Sequence, residues 1–267
     1  MIQTNKSFEL NRILMSVNFI HNKPVLFIQE IKAIAIGDLH IGMEYELKKS
    51  GVNIPLQIAR MKREIDEIIE KTKAKRLVIL GDIKHLVPGI SYQEERDIPE
   101  FLRQLRDEVK VSVCLGNHDT YIKDIAPDKI DIYGSEGFKI KKYGFFHGHA
   151  WPAKSLMLCD YLITSHTHPT FQFIDTFGYK IVEPVWIKCK LNIERVKETY
   201  KIKKTGKLNT IIVPAFNKLL IGSPINSSIK TELIGPLFQN KLIDIKECSI
   251  YLLDGTYIGK IGTLNES

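Results

Sequence analysis

The chain has 267 residues, 44% of them hydrophobic and 26% charged, which is enough apolar material for a large core and argues against extended disorder. No apolar run reaches the roughly 18–20 residues that cross a bilayer, and Met1–Ser16 is broken up by Asn5, Lys6, Glu9, Asn11 and Arg12. No signal peptide or membrane span is therefore expected, and the expected location is the cytoplasm. The net charge is +7, and most of it lies in one stretch where Lys188, Lys190, Arg195, Lys197, Lys201, Lys203, Lys204 and Lys207 outnumber Glu194 and Glu198. Such a stretch either neutralises nucleic-acid phosphates or is a solvated lysine-rich face.

In chain order, an N-terminal hairpin is expected from Val17–Ile20 and Val25–Ile28, turning at His21–Pro24. Lys32–Ile36 reads as a buried strand ending at Gly37. Pro55–Lys71 carries Ile58, Met61, Ile65, Ile68 and Ile69 at helical spacing, with Pro55 suited to a first turn. Arg76–Leu80 is a strand ending at Gly81. A helix bearing Phe101, Leu102 and Leu105 is expected to start at Asp97, with Glu100 at capping-box spacing. Val109–Leu115 is a strand ending at Gly116, so the first half alternates strand and helix as βαβ units do. Beyond it strands dominate: Phe138–Phe146, Tyr161–Thr164, Phe171–Ile174, Tyr179–Lys188, Leu208–Val213, Leu219–Ile221, Ser249–Leu253 and Thr256–Ile261, with a turn at Asp254-Gly255. Ile193–Lys203 reads as a short basic helix or an exposed loop. Cys114, Cys159, Cys189 and Cys248 form no CxxC pair and read as buried small hydrophobes.

The chemistry gathers at strand ends. Gly37-Asp38-Leu39-His40, Gly81-Asp82-Ile83-Lys84-His85, Gly116-Asn117-His118-Asp119, His147-Gly148-His149 and Ser165-His166-Thr167-His168 each follow a strand, and they hold seven of the eight histidines. In open α/β sheets, ligands bind where such turns converge. One DxH or HxH is a weak signal, because single strand-end histidines are often caps or core residues; five in succession are not. Imidazole, carboxylate and amide donors without a thiolate suit borderline-to-hard divalent ions: manganese first, with iron, nickel or zinc as alternatives. Two such ions about 3.5–4 Å apart clamp a phosphate and acidify a water.

The order DxH, GDxx(D/H), GNHD, HGH, HTH resembles the calcineurin-like metallophosphoesterase superfamily. DLHIGME, GDIKH, HGHAWP, SHTHP and the late PAFN (Pro214–Asn217) resemble its archaeal SbcD-related and PdeM-type members, over roughly Ile34–Asn217. The resemblance implies an α/β fold, a four-layer sandwich of two mostly β sheets flanked by helices, with β-rich additions at both ends. In this reading 1–267 form one unit, with 1–30 an N-terminal hairpin, 31–217 the catalytic core and 218–267 a C-terminal β extension. By similarity Asp38, His40 and His168 hold one ion, Asn117, His147 and His166 the other, and Asp82 bridges. His118 stands at the phosphate, and Asp119 orients it.

Three positions depart from the family pattern. His85 replaces the usual acidic residue; in SbcD-type nucleases a histidine there takes part in catalysis on DNA, though it also reads as a supporting or surface residue. Ser165 replaces a glycine before HTH. His147 and His149 compete for one ligand position, with His147 preferred because it directly follows the strand and His149 left for supporting or substrate contacts. Trp151 and Pro152 offer either a base-stacking surface or core packing. The expected function is a phosphodiesterase or nuclease on DNA or RNA. A small-molecule phosphatase or nucleotide phosphodiesterase is the alternative, and a non-catalytic scaffold is the least favoured because every ligand position is filled. No long helix pair for docking an ATPase is visible, so no obligate ATPase partner is expected.

Overall fold

The structure is a computed structural model that describes residues 17–226 and 235–264. The Met1–Ser16 stretch, read above as lacking a signal-peptide core, lies outside the described residues. Two mixed sheets face each other. The first runs in the order β1(Val17–Phe19), β2(Leu26–Ile28), β3(Ala33–Ile36), β4(Arg76–Ile79), β5(Lys110–Cys114), β6(Asp131–Tyr133), with β3 to β6 parallel. The second runs β14(Tyr257–Lys260), β13(Ser249–Leu252), β11(Lys180–Lys190), β12(Asn209–Ile212), β9(Tyr161–Thr164), β8(Tyr143–Phe145), β7(Phe138–Ile140), and β10(Thr170–Ile174) pairs only with β11.

Side-chain alternation builds the layers. In β3, Ala35 faces the second sheet among Val78, Leu80, Phe145, Ile163 and Trp186, while Ile34 and Ile36 face outward. That outer side is covered by α2(Ile58–Thr72), through Met61, Ile65 and Ile68, and by α3(Tyr92–Glu108), through Ile98, Phe101, Leu102 and Leu105. The second sheet's outer face packs Leu162, Val185, Ile187 and Ile212 against Leu156, Met157, Leu237 and Ile261 and against Val196 of α5(Ile193–Tyr200). Helix, sheet, sheet, helix is the architecture the resemblance implies, and the strand–helix alternation of the first half agrees with it. The short helices are α1(Met43–Lys49), α4(Ile122–Ile125), α6(Pro236–Gln239) and α7(Ile261–Leu264).

Three expectations are corrected. The helix expected at Asp97 starts five residues earlier: Ser91 Oγ accepts from Glu94 N and Glu94 Oε2 from Ser91 N, so Ser91 and Glu94 form the true capping box. The strand expected over Phe138–Phe146 is a tight hairpin, with Lys141 at the turn in left-handed geometry (φ +53°). Leu219–Ile221 is turn and coil, and Leu220 N donates to Asn217 O.

Candidate metal centre

The carboxyl ends of β3, β4 and β5 in one sheet meet those of β8 and β9 in the other, and all five motifs arrive at this edge. Backbone hydrogen bonds weld the turns together: Asp38 N donates to Gly81 O, His40 N to Asp82 O and Ile41 N to Ile83 O. His166 N points at both Asp38 carboxylate oxygens (3.2 and 3.3 Å), tying the second sheet to the first. The packing is close enough to demand glycine. A Cβ on Gly116 would sit 2.1 Å from Asp82 Oδ1, and one on Gly81 (φ +90°) would sit 2.6 Å from His147 Nδ1. Asp38, His40, Asp82, His166 and His168 all have φ between +40° and +72°, a left-handed backbone that costs about 1–3 kcal/mol per residue and clusters at functional sites.

Asp82 is the hub. Its Oδ2 lies 3.4 Å from His40 Nε2 and 3.3 Å from His147 Nε2, while Oδ1 accepts from His118 N at 2.9 Å. On one side Asp38, His40 and His168 bring donor atoms within 4.8 Å of one another; on the other Asp82, His147 and His166 do the same. Asn117 Oδ1 joins the second group, 3.2 Å from His147 Nε2. His40 Nε2 and His168 Nε2 are buried without a hydrogen-bond partner, although His168 Nε2 is only 3.3 Å from Asp38 Oδ1. Imidazole nitrogens buried beside carboxylates and bonded to nothing are arranged for a cation, and the N and O donor set fits a divalent one.

Electrostatics agree. Burial alone would raise Asp38, but His168 and His147 overcome it and hold the carboxyl below its usual range. Burial likewise opposes ionisation of Asp82, and His147 and His40 drive its pKa far below normal. Burial opposes charge on His147 too, yet Asp82 and Asp38 lift it to about 9, and Asp38 also raises His168. Burial and His147 push His166 and His149 down to about 4, so both present neutral rings. Without a cation, the proton on His147 partly offsets the two carboxylates.

The imidazoles are also oriented. His147 Nδ1 lies 2.6 Å from Leu80 O, which leaves Nε2 facing Asp82 and Asn117; Ser165 Oγ donates to the same carbonyl and sits 3.2 Å from His147 Nδ1. His149 neighbours His147 and His166, and its Nδ1 is buried without a partner. His118 Nδ1 lies 2.5 Å from His85 O, so its Nε2 is the atom free to meet a substrate. The Asp119 carboxylate takes the backbone N–H groups of Asp82, Ile83 and Gly116, so its contacts grip the turn and the His85 carbonyl orients the His118 ring. Burial and Asp82 raise Asp119's pKa. His85 is half-buried, with Nδ1 3.2 Å from His40 Nδ1.

Several further residues support the centre. Glu94, fully buried at the start of α3, accepts from His85 N and Leu86 N through one oxygen, and its Ser91–Glu94 spacing was the available signal. Asn217, the last residue of PAFN, donates through Nδ2 to Leu39 O and through its backbone to Asp38 O. Lys84 is wholly buried, donating to Leu86 O; burial lowers its pKa, opposed by Glu94, Asp119 and Asp82. The β10–β11 hairpin also went unnoticed. β11 pairs with β12 and β13 only over Val185–Lys190, so Lys180–Pro184, paired with β10 alone, overhang the edge that carries the candidate ligands, and Phe173, Ile174, Phe177 (95%), Tyr179 (68%) and Ile181 stand exposed on this ribbon.

The basic segment is not gathered at the centre. Lys188 lies over the Phe19 and Tyr251 rings, and burial lowers its pKa. Lys190 pairs with Asn209, which pairs with Tyr161, at the end of the strands opposite the ligands. Arg195 and Lys197 lie on α5, where Lys197 pairs with Glu194, and Lys201, Lys203, Lys204 and Lys207 are exposed along the return to β12. The nearest link to the centre is Tyr200, whose OH donates to Pro152 O and whose ring meets Trp151 edge-on at 5.9 Å. Trp151 is exposed and Pro152 buried.

No helix among the described residues is long and apolar enough to cross a membrane. No curated protein sequence matches the chain. Among solved structures, the Pseudomonas putida nuclease MPE is similar over 91% of this chain and 100% of its own, at 15% identity and a TM-score of 0.53. The Escherichia coli phosphoesterase YfcE is similar over 85% and 97%, at 15% identity and a TM-score of 0.40. Residues 31–219 match the calcineurin-like phosphoesterase family, and the chain, with its two-sheet sandwich and its cation-ready edge, belongs to that family of phosphoester hydrolases.

Proposed function

We propose that this phosphoesterase is a two-cation phosphodiesterase, with manganese as the first choice of metal, that cleaves phosphodiester bonds of DNA or RNA. The observation that carries the reading is the pairing of His118 with His85 on the open side of the ligand groups. Their rings lie 5.9 Å apart and nearly parallel, and each has a free Nε2. A phosphodiester keeps one negative charge and two ester oxygens at the scissile phosphorus, and two hydrogen-bond donors side by side suit it.

Asp38, His40 and His168 would hold one cation, Asn117, His147 and His166 the other, with Asp82 between them. When bound, the cations supply positive charge to the phosphoryl oxygens and acidity to a water. His118, steered by the His85 carbonyl, donates from Nε2 to the developing charge or the leaving oxygen. The exposed aromatics of the β10–β11 hairpin offer unpaired bases a stacking surface beyond the edge. The likeness to a nuclease agrees with this reading at the level of fold.

The test is purified protein with Mn²⁺ against bis-aryl phosphate, aryl phosphate, and single- and double-stranded DNA and RNA. Diester cleavage that His118→Ala reduces by about 10²–10⁴-fold is expected. A preference for the monoester, or a rate indifferent to His118→Ala, would overturn the reading.

A further inference from the structure

We propose that His85 is a positioning residue for the metal centre: its Nδ1 accepts the proton that His40 must carry on Nδ1 when His40 gives Nε2 to a cation. The two Nδ1 atoms lie 3.2 Å apart. Two lone pairs repel at that distance and so do two N–H groups, which leaves one proton between them. The other nitrogen of His40 decides who carries it. Nε2 is buried, has no hydrogen-bond partner and faces Asp82 Oδ2 at 3.4 Å. A cation bound there needs the Nε2 lone pair, so neutral His40 is protonated at Nδ1 and donates to His85. His85 is then neutral, with its own proton on Nε2, where it acts as a fixed hydrogen-bond donor toward substrate and not as an acid.

The surroundings hold this arrangement. His85 N donates to Glu94 Oε1 at 2.8 Å and to Ile41 O at 3.0 Å, so the α3 cap and the turn after β3 together fix the residue. Metal-binding histidines ordinarily pass their second N–H to a carboxylate, a carbonyl or water, as His147 does with Leu80 O; His40 passes it to another imidazole. The side-chain role separates cleanly from that of the backbone, because His118 is steered by the His85 carbonyl, which survives any substitution.

The inference rests on the two-cation reading but not on the identity of the substrate, so the test reads metal directly. Mn²⁺ is titrated calorimetrically into the metal-free full chain for the wild type, His85→Ala, His85→Leu and His85→Asn. Two equivalents are expected in the wild type. One of the two sites should weaken by roughly 10–100-fold in His85→Ala and in His85→Leu, which fills the space without an acceptor. His85→Asn, with an amide oxygen near the Nδ1 position, should recover affinity to within a few-fold. Wild-type affinity at both sites in the Ala and Leu variants would overturn the inference, as would an Asn variant as weak as the Leu variant. A third equivalent lost in every variant would overturn it in favour of an ion held by His40, His85 and His118, whose donor atoms also lie within 4.8 Å of one another. A wild type that takes up no Mn²⁺ would instead sink the two-cation reading itself.

Discussion

The edge that gathers the candidate ligands and the basic segment are opposites. The edge draws residues from five separate places in a stretch of more than a hundred residues and brings their donor atoms within a few ångströms. The segment from Lys188 to Lys207 holds its charges within twenty residues and scatters them: Lys188 onto two aromatic rings, Lys190 to the far end of the strands, Lys197 onto its own helix's Glu194. Parallel strands have a direction, so whatever follows each one lands on the same edge. A run of like charge carries no such instruction, and its members go where burial and helix geometry send them. Density along the chain is therefore the poorer guide to density in space.

The contrast is broken most forcefully at the edge. Asp82→Asn removes the carboxylate that faces His40, His147 and His118 N at once, and turnover should fall on the order of 10³-fold or more. Bound metal, measured by elemental analysis, should drop below two equivalents. A variant keeping both metals and a tenth of the rate would show that Asp82 does not join the two ligand groups.

The next effect is of pH on metal. In the metal-free protein His147 is raised from its ordinary 6.5 to about 9 by Asp82 and Asp38, against burial. A group raised on folding contributes stability that is complete below about 6.5 and lost as pH climbs through 9. The metal-free Tm should therefore fall by a few degrees across that window, while the Mn²⁺-loaded Tm holds, because the metal takes the place of the proton. The same proton must leave on binding, so apparent Mn²⁺ affinity should tighten by close to tenfold per pH unit from 7 to 8. Affinity flat with pH, measured calorimetrically in two buffers of different ionisation heat, would show His147 already neutral.

How much of this was legible follows from the same logic. The strand ends could be read because Gly-Asp, Gly-Asn and His-x-His after short Val- and Ile-rich runs announce both element and edge. What remained hidden was support arriving from elsewhere. Glu94 grips the His85 turn from a helix start, and the visible Asp97–Glu100 pair drew attention from the Ser91–Glu94 box that does the capping. Asn217 locks Leu39 from 178 residues away, a contact no local pattern encodes. Asp119 was read through its neighbour His118, yet its carboxylate spends itself on backbone N–H groups that exist only once the turns have met. The hairpin escaped notice because alternation in Thr170–Ile174 and Lys180–Lys190 marks strands without revealing that one end overhangs the sheet.

That overhang gives a smaller and more selective expectation. Phe177→Ala with Tyr179→Ala should lower kcat/KM on single-stranded substrate by roughly tenfold, since stacking on an aromatic is worth about 1–3 kcal/mol per base. Bis-aryl phosphate, too short to reach the ribbon, should be cleaved at the wild-type rate. Equal losses on both would mean that the hairpin supports the fold near His168 instead of touching substrate.

The smallest effect belongs to the basic segment, and its size decides whether a charge cluster can matter without meeting at the site. Lys201, Lys203 and Lys204 are exposed on the return from α5 to β12, beyond Tyr200, whose OH donates to Pro152 O and whose ring meets Trp151. Each lysine that meets a phosphate releases counterions and adds about 0.7–0.9 to the slope of log affinity against log salt. Were all three engaged, the triple Lys→Gln variant would flatten that slope by about 2–3 and weaken nucleic-acid binding severalfold at low salt. Their position argues for less: a slope change of about one or below, a loss near twofold, and no change on bis-aryl phosphate. Salt-dependent binding of labelled single- and double-stranded oligonucleotides by the wild type and the triple variant measures the difference. A full-sized change would mean that bound nucleic acid follows the surface from the hairpin past Trp151 to α5, joining in the complex what the folded chain holds apart.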